Sequence, residues 1–166
     1  MKIIAFVFVL LFANSAQADW QFTKWGMTVE EVLASNKQVT RLLPEGIKKH
    51  SHDGTTAALG IPEYKSGNYE FTAIFHFGKA SNKLEKIVLK SVRPTLSQMI
   101  DIVNSLRGKY GLEFEKDRRY SSDTAISTSE WLGDTMHIKL FSRGSIPMSD
   151  LTITYTPRLD ENNSGL

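Results

Sequence analysis

His50, Ser51, His52 and Asp53 place two imidazoles and a carboxylate within four residues. Neutral imidazole with carboxylate is a donor set for zinc, copper or nickel. Lys48 and Lys49 precede the cluster and Gly54 follows it, so nothing supplies the helical i, i+4 spacing that would aim both rings at one ion. The tract therefore reads as an exposed loop. His50, His52 and Asp53 stand as the lesser, metal-ligating reading, and no cofactor is expected. Glu113, Glu115 and Asp117 would line one side of an extended segment, and a carboxylate pair does acid–base work only when burial raises one pKa. With Lys116, Arg118 and Arg119 alongside, a solvated, charged edge strand is the better reading, and alternating charge also protects an edge from aggregation. Gly144-Ser145 falls in a turn without strand-to-helix context, and the sequence contains no G-x-S-x-G, H-E-x-x-H or P-loop motif. No catalytic residue is expected.

What remains is a surface that strands would display. Alternation puts Phe71, Phe75, Met136, Ile138, Leu140, Leu151, Ile153 and Tyr155 on one side, beneath helices. The opposite side then carries Thr72, Ile74, His76, Thr128, Glu130, His137, Lys139, Phe141, Thr152 and Thr154. Its mixture of polar groups with Ile74 and Phe141 makes Ile74, His76, Glu130, His137, Lys139 and Phe141 the candidate partner-binding residues. A two-residue Gly133-Asp134 turn would set Trp131 opposite Met136, Glu130 opposite His137 and Thr128 opposite Lys139, with Trp131 in the core. Trp20 and Trp25, in an alternating tract, read as a short strand or an aromatic arm. Core packing is favoured for this pair, with contact to a partner as the second reading.

The elements that would position these residues are marked by local signals. Thr28 and Glu31 have capping-box spacing and Met27 and Val32 that of a hydrophobic staple, which predicts a helix from Val29 to about Asn36. Thr95 and Gln98 open a second helix, whose stripe of Leu96, Met99, Ile100, Val103, Leu106 and Tyr110 predicts one buried face, with Gly111 as its C-cap. Tyr69 to Phe77 and Leu84 to Ser91 read as a hairpin, and Ile126 to Leu132, Thr135 to Ser142 and Leu151 to Thr156 as three further strands. Between Gln38 and Asn68 repeated Pro and Gly break the pattern and leave room for a strand or two, for example near Thr55 to Leu59. The fold class is α+β, an antiparallel sheet with two helices on one face, in one domain spanning 19–159. Two helix-plus-strands units, 26–91 and 92–157, would repeat in tandem. The polar tail 160–166 reads as disordered.

The first eighteen residues read as a cleavable signal peptide: Lys2, the apolar run Ile3 to Phe12, and Ala16-Gln17-Ala18 at the cut. The run is shorter than the roughly 20 residues a spanning helix needs. The mature chain would begin at Asp19 as a periplasmic or secreted protein without a membrane anchor. It would hold 19 basic against 18 acidic residues, a balance with no field to collect nucleic acid. The chain has no cysteine, which excludes disulfides, thiol chemistry and attachment of lipid at the cleavage site.

Trp25-Gly26-Met27-Thr28-Val29-Glu30-Glu31-Val32 resembles the W-G-M-[ST]-x-x-E-V helix start of a group of bacterial envelope proteins. That superfamily includes the small lipoprotein of the outer-membrane barrel-assembly machine and the tandem-repeat β-lactamase inhibitor protein. The resemblance implies a non-enzymatic fold that presents a sheet face or loops to another protein. It carries over no functional residue, and this chain lacks both the lipobox cysteine and the cysteines of the inhibitor. The expected function is thus a periplasmic protein-binding or inhibitor-like module, monomeric or dimeric, with an envelope or secreted protein as partner. An immunity protein neutralising a secreted enzyme is a narrower alternative. A small-ligand or metal carrier is a different one.

Overall fold

A computed structural model describes residues 19–51, 54–121, 123–144 and 149–158. The expected signal peptide, His52, Asp53, Ser145 and the polar tail lie outside the described residues. The elements run α1 (Val29–Ser35), β1 (Thr40–Arg41), α2 (Pro44–His50), β2 (Thr55–Ser66), β3 (Tyr69–Gly78) and β4 (Leu84–Val92). They continue with α3 (Leu96–Tyr110), β5 (Glu115–Ser121), β6 (Thr124–Leu132), β7 (Met136–Gly144) and β8 (Ser149–Pro157). Among the described residues the strands form one antiparallel sheet in the order β1-β2-β3-β4-β8-β7-β6-β5. The fold is mixed α+β and dominated by its sheet. No described helix is long and apolar enough to cross a membrane.

Both capping boxes form. Thr28 accepts from the Glu31 N–H while the Glu31 carboxylate accepts from the Thr28 N–H, and Thr95 and Gln98 repeat the exchange at α3. Each box satisfies two of the donors a helix start leaves orphaned. Gly111 ends α3 at φ +83°, its N–H bonded to the Arg107 carbonyl. That left-handed φ is cheap for glycine alone.

The core joins Val32 of α1 and Ile102 and Leu106 of α3 to sheet residues that include Phe75, Leu89, Trp131, Ile138, Leu140, Leu151 and Ile153. The apolar stripe expected along α3 is therefore divided. Ile102 and Leu106 are buried and Met99, Val103 and Tyr110 pack partly, but Leu96 and Ile100 are 74% and 51% exposed. The Trp20 to Trp25 tract is neither strand nor arm. Trp20 and Thr23 close a tight turn with Gln21 at φ +52°, which lodges the Trp20 ring 5.3 Å from Tyr64 and 5.8 Å from Phe75 between centroids. Trp20 is buried and Trp25 packs partly against the same core.

Two elements depart from the sequence expectation. β2 continues through Gly60 and Pro62 because bulges absorb the irregularity. Its pairing with β3 skips from Ile61↔Ala73 to Tyr64↔Phe71, leaving Pro62, which has no N–H to donate, outside the ladder. α2 forms where Pro44 and Gly46 looked like breakers, since Pro44 occupies the first helical turn, where a missing N–H costs nothing. Leu42, just before α2, lies over Gly60, where a Cβ would come within 3.0 Å of Leu42 Cδ2 and 3.1 Å of the Ala73 carbonyl oxygen. At the other end of α2, Nζ of Lys90 on β4 donates to Nδ1 of His50 at 3.2 Å.

Candidate functional site

Cross-strand register sorts the sheet into faces. The row Glu115, Glu130, Lys139, Thr154, Val88, Ile74, Gly60 crosses seven strands on the face opposite the core cluster. A neighbouring row holds Leu132, His137, Thr156 and, beyond β8, Lys86 and His76. A third holds Asp117, Thr128, Phe141, Thr152, Lys90 and Thr72. The outward residues expected from alternation thus share one face. The face is not uniformly open.

Over β2 and β3 it is covered. Ile74 and His76 are 1% and 3% exposed, which corrects their assignment as partner-binding residues, and the His76 Nδ1 lies 3.4 Å from the Thr55 hydroxyl. The cover comes from the segment around α2: Leu42 over Gly60, the direct partner of Ile74, and His50 against Lys90. Trp20 is in the core at 6% exposure, the favoured of its two readings, and its second reading, contact with a partner, is corrected. Trp25 is half-buried, and its indole N–H has no hydrogen-bond partner among the described residues.

Over β6 and β7 the same face is open, and there Glu130, His137, Lys139 and Phe141 come together. The last cross-strand pair, Leu132↔His137, encloses four residues rather than the expected two, so Trp131 opposes Ile138, Glu130 opposes Lys139 and Thr128 opposes Phe141. A register shift of two residues preserves every side chain's face, which is why the surface survives while its pairs change. Glu130 accepts from Lys139 Nζ at 2.7 Å through Oε1 and lies 2.8 Å from His137 Nε2 through Oε2. Burial opposes ionisation of Glu130, yet the bonds and charges of Lys139 and His137 outweigh it and hold the carboxyl below its ordinary value.

Apolar groups surround this polar centre. The Phe114 ring lies 5.9 Å from the His137 ring between centroids, Leu132 pairs directly with His137, and Phe141 sits in the adjoining row. Phe114, Leu132 and Phe141 are all exposed. Sequence reasoning passed over Phe114 and Leu132. Leu132 follows from Glu130 by alternation alone, while Phe114 precedes β5, outside any strand whose alternation could assign its face.

Those carboxylates separate in space. Glu115 and Asp117 stand on the exposed edge strand β5, as expected. Glu113 does not join them: its side chain is 6% exposed and accepts from Arg107 at 2.6 and 2.8 Å and from Lys116 at 2.9 Å. The Arg107 bonds, helped by Lys116, keep the Glu113 carboxyl well below the usual carboxylate range despite burial. A carboxylate held ionised in this way is a structural anchor and a poor proton donor. Among the described residues, no group of three or more His, Asp or Glu side chains converges to hold a metal ion. His52 and Asp53 lie outside them, and the described His50 is engaged with Lys90.

The open face therefore offers hydrogen-bond donors, a compensated carboxylate and an apolar surround, the chemistry of recognition. Compared with known proteins, the chain matches no family model, no curated protein and no solved structure.

Proposed function

We propose that this protein is an exported, non-enzymatic binding module that engages an envelope or secreted protein through the outward face of β6 and β7. One observation carries the reading: Phe114, Leu132 and Phe141 stay exposed around a Glu130 whose charge is already compensated by Lys139 and His137. An apolar surface grouped about satisfied polar residues is the anatomy of an interface. The signal-peptide pattern and the W-G-M-T-V-E-E-V helix start, which resembles that of envelope proteins, support the compartment and the class.

In this reading α1 and α3 share the core face of the sheet, and the segment around α2 covers half of the other. The order β1-β2-β3-β4 meets β8-β7-β6-β5 at a central seam, and each half opens with a Thr-capped helix. That arrangement supports two tandem units, 26–91 and 92–157, with α2 as an insertion that blocks the outer face of the first and leaves the second free to bind.

The test compares wild type with His137→Ala/Phe141→Ala in melting temperature and in capture of envelope proteins. Surface substitutions change stability by about 0.5 kcal/mol or less, whereas truncating a central interface residue costs more than about 1 kcal/mol of binding. The double variant should melt within a few degrees of wild type and lose a partner that wild type retains. Undiminished capture of every partner would remove this face from the proposal. A captured secreted enzyme whose activity falls on binding would narrow the module to an inhibitor.

A further inference from the structure

A second feature lies on the core side of the same half. α3 and the strands β5, β6 and β7 diverge to leave an open cleft of about 440 Å³. One wall is the side of α3 that carries the exposed Leu96 and Ile100 and the partly buried Met99 and Val103. The other includes Tyr120, Ala125 and Leu140. The volume lies in the range of small-molecule pockets, which are mostly apolar with a few converging polar groups.

The charges at this cleft have one sign. Lys116, Arg118 and Tyr120 pair with Ser129, Ser127 and Ala125 and so turn to the cleft side of β5, while Glu115 and Asp117 turn to the other. Of the three cations that line it, Arg107 and Lys116 share Glu113. Arg118 has no acidic partner among the described residues, although four carboxylates lie within five residues of it in sequence. From Leu96 to Arg107 the α3 wall is about 16 Å long at the helical rise of ~1.5 Å per residue. Apolar side chains line the Leu96 end, and Arg107, joined to Lys116 through Glu113, stands at the other.

We infer that this cleft binds a single-chain anionic amphiphile, a long-chain carboxylate, with its tail along Leu96, Ile100 and Val103 and its head group on Arg118. A guanidinium meets a carboxylate through two parallel N–H···O bonds, which fixes the head while the apolar wall takes the tail. Among the described residues that line the cleft, the charged ones are all cations, which suits an anionic head group. The site lies on the opposite side of the sheet from Glu130 and Phe141, and the inference does not rest on the proposed binding face.

The experiment titrates the mature protein with dodecanoate below its micellar concentration, followed by calorimetry and by backbone amide chemical shifts. Arg118→Gln should weaken binding about tenfold, the scale of one lost charge-assisted contact, and Ile100→Asp should abolish it. Both residues are exposed, so melting curves should stay near that of wild type. Dodecyltrimethylammonium, with the same tail and a positive head, should not compete, and Phe141→Ala on the opposite face should bind dodecanoate normally. Three results would overturn the inference. They are no binding up to the solubility limit, equal binding by Arg118→Gln, and shifts confined to the separate cavity lined by Tyr64, Tyr69 and Tyr155.

Discussion

Glu113 and Glu130 show how much of a charged residue's role depends on neighbours far away in sequence. Both look like surface acids when read along the chain. Glu130 was placed on its face by alternation, but its partners depended on the length of the following turn, which composition does not encode. Glu113 was misplaced because Arg107, its strongest partner, belongs to α3 and meets it only after Gly111 reverses the chain. The lowered pKa of Glu113 has a definite consequence. A carboxyl held lower in the folded chain than its ordinary 4.5 contributes stability that is present above that value and is lost as pH falls below it. Glu113→Gln should therefore melt below wild type at pH 7, and the gap should narrow steadily as pH is lowered from about 4.5 toward 2. Thermal melts of both proteins across that range check this, and a gap that stays constant would show that packing, not charge, holds Glu113.

Elements with strong local signals were legible: both capped helices, the β3–β4 hairpin and the strands after α3 emerge where spacing and turn residues put them. α2 and most of β2 were not, because Pro44, Gly46, Gly60 and Pro62 act as breakers only outside a first helical turn or a bulge, and those contexts are set by tertiary structure. The stripe along α3 was legible as apolar but not in how it divides, since Ile102 lies off the counted positions and takes the core while Leu96 and Ile100 line the cleft. The two roles separate by mutation. Ile102→Asp puts an unpaired charge into the core and should abolish cooperative melting. Ile100→Asp, two residues away, should leave the fold intact. Thr95→Ala, which removes the cap of the same helix, should cost about 1 kcal/mol, read as a shift of the urea midpoint without a change of slope. A folded Ile102→Asp protein would place the core face of α3 elsewhere.

At the scale of the whole molecule, the seam between β4 and β8 decides whether two sequence units make one domain. It pairs six residues of each strand, from Ile87↔Tyr155 to Val92↔Asp150, and the core runs across it through Leu89 and Ile153. Ile102 and Leu106 of α3 complete the core beside Leu59 of β2 and Phe75 of β3. Alone, residues 19–92 would expose β4 as an apolar edge carrying Ile87, Val88 and Leu89, an arrangement stable sheets avoid. Neither unit should therefore fold independently, even if the pair arose by duplication. Expressed as two chains, 19–92 and 93–166, each should lack a cooperative transition by itself, and an equimolar mixture should recover one. Because folding is then coupled to association, the melting temperature of the mixture should rise with protein concentration, whereas that of the intact chain should not. Circular dichroism melts at two concentrations tenfold apart make the comparison. A fragment 19–92 that melts cooperatively as a monomer would show that the seam joins two domains and that the core of the first closes without α3.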